Sequence, residues 1–270
     1  MPVPLWDLRG KRENFVAGWS RRIARVHSAI GDEYLTMGIC AIHQPNFFPW
    51  IGYFDKIKRV DTFVFLDQVN YPKSGNSMGS FCNRVKIIID GKPDWISCPV
   101  IRESGVQSID AVKIDGKRPW KEKFRKVIEA NYRTAANFPS VFELVEKVLG
   151  FETEFLAEFN INAITVLADH LGYRAKFVRQ SDLPSMQETS TARLVELTKA
   201  VGATTYFSGG GAAGYQENAA FVDADLRIVY QDFKIFPYGN PSAFVPGLSV
   251  LDWLMRMDEK DREGLTLCAG

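Results

Sequence analysis

The chain has 270 residues, 46% hydrophobic and 24% charged, a composition typical of a folded globular protein and unlike that of a disordered or membrane-spanning one. Its 33 basic and 32 acidic residues leave a formal charge of +1, without the positive excess typical of nucleic-acid-binding proteins. The 4 cysteines are scattered and the 3 histidines do not cluster, which argues against a disulfide framework or a zinc site. We therefore expect a cytoplasmic protein with no metal site, no membrane span and no nucleic-acid partner.

Residues 1–36 differ in pattern from the rest of the chain. They mix basic and acidic side chains and lack the apolar stretch of a secretion signal. Met37 is followed at once by an apolar run. We interpret residues 1–36 as a peripheral N-terminal extension and residues 37–270 as the functional domain.

The domain begins with a predicted βαβ unit. Residues 38–42 form a short, wholly apolar run that is typical of a buried parallel strand. Residues 50–60 have helical spacing and follow Pro49, and residues 62–66 form a second apolar strand. Because the crossover between parallel strands is right-handed, we expect the loop at 43–46 to lie at the carboxyl edge of the sheet, where α/β proteins bind ligands.

The remaining elements are predicted from periodicity and turn signals. In chain order they are a long polar connection (67–83), a β-hairpin (84–89 and 95–100, turn at 90–93), a strand (109–114), helices between 120 and 171 with breaks near 137–139 and 150, a strand (175–178), a helix (191–201), a strand (204–207), a helix near 215–221 and a strand (227–230). The predicted fold class is α/β, with a mostly parallel sheet, an inserted β-hairpin and a helical region at about 117–172.

The loop after the first strand carries His43, Gln44, Pro45 and Asn46. This loop is costly for stability alone, because proline removes a backbone donor and the polar side chains need partners. The N-terminal amides of the next helix can also face an anion. We identify His43 as a catalytic candidate, and Gln44, Asn46 and Trp50 as substrate-binding candidates. The alternative is that His43 only satisfies backbone carbonyls and that Trp50 only fills the core.

A second polar cluster follows the second strand. We expect Asp67 at the strand end to be catalytic, positioning or deprotonating an amine, and Arg84 to hold a carboxylate or phosphate. Tyr71 and Asn83 complete the substrate-binding candidates. The alternative is that Asp67 and Arg84 pair with each other at the rim.

A third cluster is the glycine-rich turn after the strand at 204–207. The amides of consecutive glycines and a neighbouring hydroxyl can cradle an anion. Arg193, in the first turn of its predicted helix, is unfavourable for the helix dipole unless it faces an anion. The cofactor-binding candidates are therefore Arg193, Ser208, Gly209, Gly210 and Gly211. The alternative is a plain strand-to-helix turn.

Several of these segments, taken in order, resemble the motifs of the WbqC-like family. They are the stretch from His43 to Lys56, the strand ending at Asp67, Asn83-Arg84, the helix start at Ser190-Thr191, the turn from Tyr206 to Ala212 and the segment from Phe244 to Asp252. The resemblance covers about residues 38–255, so residues 37–270 are described as a WbqC-like α/β domain. It implies a bacterial protein that acts in surface-polysaccharide or natural-product biosynthesis.

A fold-level likeness suggests a reaction. The loop and helix start at His43 resemble the His-x-Gly-His region in the βαβ core of nucleotidylyltransferases and acyl-adenylate-forming ligases, although Tyr53 stands where the second histidine is expected. This likeness implies ATP with magnesium as a candidate co-substrate, and phosphate or oxyanion stabilisation as the role of His43.

We therefore expect a ligase or transferase that forms an amide on an amino sugar, an amino acid or a nucleotide-linked metabolite from an ATP-activated acyl or aminoacyl group. One alternative is a carrier-dependent acyltransferase that does not use ATP. Another is a non-catalytic binding or scaffold subunit of a polysaccharide-assembly complex, with the aromatic loop 46–54 as its partner surface. A homodimer is left open.

Overall fold

The structure is a computed structural model that describes residues 38–72, 80–186, 188–210 and 218–258. The predicted extension at 1–36, Gly211 and part of the 67–83 connection lie outside these ranges. Within them, no helix combines the length and the apolar character needed to cross a membrane.

The described residues contain seven strands and seven α-helices. The strands are β1 (Gly38–His43), β2 (Thr62–Phe65), β3 (Arg84–Ile89), β4 (Lys92–Ser97), β5 (Lys176–Arg179), β6 (Ala203–Ser208) and β7 (Arg227–Tyr230). The helices are α1 (Ile51–Lys58), α2 (Trp120–Tyr132), α3 (Phe138–Leu149), α4 (Leu156–His170), α5 (Ser190–Ala200), α6 (Asn218–Val222) and α7 (Val250–Arg256). Five strands form one sheet in the order β5-β2-β1-β6-β7, and β3 pairs with β4 as a separate hairpin.

All pairings in the five-stranded sheet are parallel, so the carboxyl ends of its strands meet at one edge. The central strand β1 shows why its sequence is apolar throughout. Ala41 belongs to a large core that includes α1 and the helical region, whereas Cys40 and Ile42 belong to a smaller core that includes α5. Both faces of β1 are covered, as in other doubly covered parallel sheets. The predicted α/β class is confirmed.

The second strand of the hairpin begins three residues earlier than predicted. Asp90 and Gly91 both have positive φ, at 49° and 76°. Two such residues form the tight turn whose twist matches paired antiparallel strands. Chain pairing therefore begins at Lys92, opposite Ile89, rather than at residue 95.

The strand predicted at 109–114 is wrong. Residues Ile109–Ala111 form a 3₁₀ turn, and the segment contributes only isolated bridges at Lys113 and Ile114. Ile109 and Val112 are both fully buried. A spacing of three between buried residues suits a turn, whereas a half-buried strand would bury every second residue.

Candidate ligand-binding and catalytic site

A cavity of about 690 Å³ opens at the carboxyl edge of the sheet. Its wall is built from the ends of β1 and β6, Leu66 and Val69 after β2, one face of α1, the first turn of α5, and Gln231 directly after β7. This volume is in the range of small-molecule sites, and the carboxyl edge is where open α/β sheets bind ligands. The loop after β1 therefore lies at the edge where its sequence position predicted it.

Seven of the predicted site residues line this cavity. They are the candidates His43, Gln44 and Trp50 from the loop after β1, and the candidates Arg193, Ser208, Gly209 and Gly210 from α5 and the turn after β6. These two groups are about 150 residues apart in sequence, and the parallel pairing of β1 with β6 brings them together.

Asp67 does not line the cavity, which corrects the expectation that it faces an amine. Its carboxylate is completely buried and accepts hydrogen bonds from Arg179 Nε at 2.9 Å, from the Ser181 amide at 3.0 Å and from Ser181 Oγ at 2.8 Å. These contacts join the end of β2 to the end of β5. Asp67 is therefore engaged in a structural ion pair, with Arg179 and not with Arg84.

Four other candidates also lie outside the cavity wall. Asn83 donates to the Cys98 carbonyl at 3.0 Å and accepts from the Ser80 amide, so its amide holds a turn. The Arg84 guanidinium lies 4.1 Å from the centre of the Trp95 ring on the hairpin. Asn46 accepts from the Cys82 thiol at 3.8 Å, and Tyr71 is 7% exposed and packs in the large core. None of these four side chains lines the cavity.

The loop that carries His43 is held by residues distant in sequence. Asn160, fully buried in α4, donates both amide hydrogens, to the Pro45 carbonyl at 2.8 Å and to the Cys82 carbonyl at 2.6 Å. Ser249 Oγ donates to the carbonyl of Phe48, a residue with φ of 41°. A bulky residue at positive φ is strained and persists only where surrounding contacts fix it. The loop geometry is thus set by the tertiary structure.

The aromatic residues of this loop do not form an exposed patch. Phe47 and Phe48 are 1% and 0% exposed, whereas Trp50 is 38% exposed. The Trp50 ring lies over Gly52, where a Cβ atom would come within 2.3 Å of it, and packs edge-on against Phe233. The loop therefore offers one cavity-lining indole rather than the broad apolar surface that a scaffold would need.

His43 is a neutral imidazole with a defined tautomer. Burial is the main cause that lowers the pKa of His43 to about 3, and the nearby charge of Lys56 adds to it. Nδ1 lies 3.2 Å from the Gln44 carbonyl oxygen. A carbonyl can only accept, so Nδ1 carries the proton and Nε2 keeps its lone pair. Nε2 can therefore accept a proton but has none to donate, so in this form His43 does not stabilise a phosphate or an oxyanion as the sequence analysis expected.

Tyr53 fixes the same carbonyl. Its hydroxyl donates to the Gln44 carbonyl at 3.0 Å, and its ring packs edge-on against the His43 ring with centroids 4.8 Å apart. Tyr53 stands where the second histidine of the adenylating-enzyme pattern was expected, and it lines the cavity. In this protein, Tyr53 therefore packs against the imidazole of His43 and does not supply a second imidazole.

Lys56 is a charged cavity residue that the sequence analysis did not identify as a site candidate. It lies on the cavity face of α1, four residues after Gly52, and is only 4% exposed. Among the described residues its ammonium forms no ion pair, because the adjacent Asp55 accepts from Arg59 at 2.9 Å and from Gln231 at 2.7 Å. Residues four apart share a helix face, so the position of Gly52 at the helix start could have indicated Lys56.

The burial of Lys56 opposes folding. Burial lowers the pKa of Lys56 to about 8. At neutral pH the Lys56 ammonium is buried in the folded protein but surrounded by water in the unfolded chain. This difference lowers the free energy of unfolding by about 3 kcal/mol. A buried cation without a carboxylate is what an anion-binding site requires before its ligand arrives.

The cavity as a whole favours an anion. Its wall contains the cationic side chains Lys56 and Arg193 and no aspartate or glutamate among the described residues. The first turns of α1 and α5 also line it, and neither contains an acidic residue or a capping side chain. Arg193 is anchored by donating to the Glu188 carbonyl at 2.8 Å and to the Gln68 carbonyl at 3.4 Å. Both cations and both helix dipoles therefore contribute positive potential.

A metal site is not found by geometry. In the ranges that the structure describes, no group of three or more His, Cys, Asp or Glu side chains could hold a metal ion.

Fold and site together define an α/β protein with a basic ligand cavity at the carboxyl edge of a parallel sheet. The sequence model of the WbqC-like protein family matches residues 44–263, and the chain belongs to this family. It is also 28% identical over 236 residues to a Mycobacterium tuberculosis (strain ATCC 25618 / H37Rv) protein described as "Uncharacterized protein Rv1507c", with 84% of this chain and 97% of the relative covered. No solved structure matches the chain.

Proposed function

We propose that this protein is an enzyme that binds a small phosphate-bearing molecule in the cavity and uses His43 as a proton acceptor. The observation that carries the proposal is that one cavity contains a neutral His43 and the buried cation Lys56, which has no ion-pair partner among the described residues. The cation favours the anionic part of a substrate. An anion bound at Lys56 offsets the positive charge that helps to lower the pKa of His43, so Nε2 becomes a stronger general base when the substrate is bound.

The specific reaction that we propose is amide formation on the amine of a small metabolite, such as an amino sugar or an amino acid. An ATP-derived acyl or aminoacyl adenylate supplies the acyl group, and magnesium enters with ATP. The amine nitrogen attacks the acyl carbon and forms the C–N bond. The bond between that carbon and the phosphate oxygen breaks, AMP leaves with the electron pair, and Nε2 of His43 takes the amine proton.

Two features of the site support this reaction. Developing negative charge on the phosphate leaving group is stabilised by Lys56, Arg193 and the helix amides, which are fixed before the reaction begins. The Gln44 carbonyl, held by Tyr53, keeps the Nδ1 proton in place, so that Nε2 is the basic atom. We also propose a role in bacterial surface-polysaccharide or natural-product biosynthesis, which the resemblance of the sequence motifs to the WbqC-like family implies. Free buried thiols at Cys40, Cys82 and Cys98 suit the cytoplasm.

The burial of Phe47 and Phe48 supports an enzyme over the scaffold alternative, which needs an exposed aromatic surface. A carrier-dependent acyltransferase differs from the proposed enzyme in one measurable respect, because it would not require a nucleotide.

The test combines binding and exchange. We expect millimolar ATP with magnesium to raise the melting temperature of the protein, and the protein to exchange radiolabelled pyrophosphate into ATP when a pool of amino acids and small acids is present. Amide product should then form when amino sugars are added.

His43→Gln is the matched variant, because its side-chain amide can still donate to the Gln44 carbonyl but is not a base. His43→Gln should keep ATP binding and lose at least about 100-fold in amide formation. The same change at exposed His170 is the control. The absence of both nucleotide binding and exchange would overturn the proposed function.

A further inference from the structure

We infer that Lys56 is the residue that binds the phosphate group of the ligand, and that glycine at position 209 leaves the space beside the ammonium that this phosphate occupies. The inference rests on the proposed function and adds to it the position and orientation of the bound molecule.

Lys56 differs from the other buried charged side chains. Asp55, Asp67 and Asp252 are the others in the described part of the chain, and each accepts from an arginine, at 2.9, 2.9 and 3.0 Å respectively. Lys56 is equally buried and has no ion-pair partner among the described residues. Buried charges are paired in stable proteins unless the partner is a ligand. The missing partner of Lys56 is therefore an anion that enters the cavity.

Gly209 borders this anion position. A Cβ atom at residue 209 would lie 3.2 Å from Lys56 Nζ. The backbone at Gly209 is not in the left-handed region, so its conformation does not demand glycine. The lack of a side chain instead gives the ammonium and its anion room beside the turn.

The surroundings of Lys56 suit a phosphate. Lysine binds phosphate as a compact point charge, and the first turn of an eight-residue helix lies on the same face at Gly52. Ser208 and Gly209 also line the cavity, and a Cβ atom at residue 209 would lie 3.2 Å from Lys56 Nζ. The ammonium and the first-turn amides of α1 supply several donors, which match the several oxygens of a phosphate group.

An apolar part of the cavity wall sets the orientation of the ligand. Ile42 and Tyr206 belong to the smaller core beside α5, Leu66 and Leu194 pack against it, and all four line the cavity. The phosphate of the bound molecule therefore points towards Lys56, and its uncharged organic part lies against these four apolar side chains.

The test uses inorganic pyrophosphate and ATP as probes, in calorimetric titrations at fixed ionic strength, together with thermal unfolding of the free protein. Lys56→Met removes the charge and keeps most of the side-chain volume. It should weaken the binding of both probes at least about tenfold and raise the melting temperature of the free protein, because an uncompensated buried charge is removed. Lys123→Met, at an exposed position in α2, is the control and should change neither quantity.

Gly209→Ala tests the space. It should weaken pyrophosphate binding by about threefold or more with little change in melting temperature, because the new methyl group contacts only the end of the Lys56 side chain and no backbone atom. Gly116→Ala is the matched control, since a Cβ atom there meets nothing within 4 Å.

The outcomes separate the inference from the proposed function. Binding of the probes by the wild-type protein with unchanged affinity in Lys56→Met would overturn the inference and leave the proposed function standing. A lower melting temperature in Lys56→Met would show that the lysine is structural and would also overturn the inference. Failure of the wild-type protein to bind either probe would overturn both.

Discussion

The two halves of the sheet's carboxyl edge treat charge in opposite ways. Where β2 meets β5, Asp67 is paired with Arg179 and saturated by Ser181, and the charges form a closed structural unit. Where β1 meets β6, Lys56 and Arg193 line a cavity without a carboxylate among the described residues. The parallel strands place polar side chains in both halves. Only in the half between β1 and β6 do these side chains line a cavity that a ligand can enter. A polar residue at a strand end is therefore a candidate for function only if the neighbouring strand does not pair with it.

The largest expected effect lies in the closed half. Asp67→Ala should lower the free energy of unfolding by about 3 kcal/mol or more, because it breaks a buried ion pair and leaves three donors without their acceptor. Urea denaturation measures the change. Asp169→Ala is the control, because its ion pair with Arg174 is exposed and should contribute less than about 1 kcal/mol. Equal effects of the two variants would contradict the structural role of Asp67.

The open half should respond in the opposite direction. Lys56→Met should raise the free energy of unfolding at pH 7 by up to about 3 kcal/mol. Because the pKa of Lys56 falls from 10.5 to about 8 in the folded state, the unfolded chain binds more protons between those values, and wild-type stability rises with pH there. The stability gap between variant and wild type should therefore close between about pH 8 and pH 10.5. A gap that is independent of pH in this range would contradict the burial of a charged Lys56.

His43 provides an intermediate effect at acid pH. Its pKa is lowered from 6.5 to about 3 in the folded state, so the unfolded chain takes up a proton first and wild-type stability falls as the pH drops below 6.5. This group contributes up to about 1.4 kcal/mol per pH unit in that window. His43→Gln should lose this contribution, so its stability should fall less steeply between pH 6 and pH 4. Equal slopes for His43→Gln and wild type would contradict a neutral His43, and exposed His170→Gln serves as the control.

The smallest effect is expected at Arg193. Arg193→Gln should lower the free energy of unfolding by about 1 kcal/mol or less, since the side chain is partly exposed and its two protein partners are backbone carbonyls. The same variant should weaken ATP binding, because it removes one of the two cations of the cavity. Exposed Arg133→Gln is the comparison variant. A large loss of stability with unchanged ATP binding would show that Arg193 is a structural residue, as Arg179 is, and not part of the binding site.

Most of the fold could be predicted from the sequence because its signals are local. The apolar run of β1, the helical spacing after Pro49 and the apolar stretch of β2 each depend on a few neighbouring residues, and the structure contains all three elements. The segment at 109–114 could not be predicted correctly, because its two fully buried residues are fixed by contacts with the rest of the core.

The same distinction between local signals and distant contacts applies to the site residues. His43 and Ser208 follow from their positions at the ends of strands that the sequence marks clearly. The engagement of Asp67 could not be predicted, because its partner Arg179 is 112 residues away and the pairing depends on β5 lying beside β2. In the sequence, Lys56 resembled an ordinary solvent-exposed lysine on a short helix. The one sequence signal for its position was its spacing of four residues from Gly52, which also lines the cavity.

The central claim is that the open half of the sheet edge holds a phosphate-bearing molecule at Lys56. A crystal structure of the full chain with a non-hydrolysable ATP analogue tests it most directly. The account predicts a phosphate oxygen at about 3 Å from Lys56 Nζ, with the organic part of the ligand against Ile42 and Tyr206. A nucleotide bound elsewhere, with Lys56 Nζ paired to a carboxylate of the protein, would contradict it.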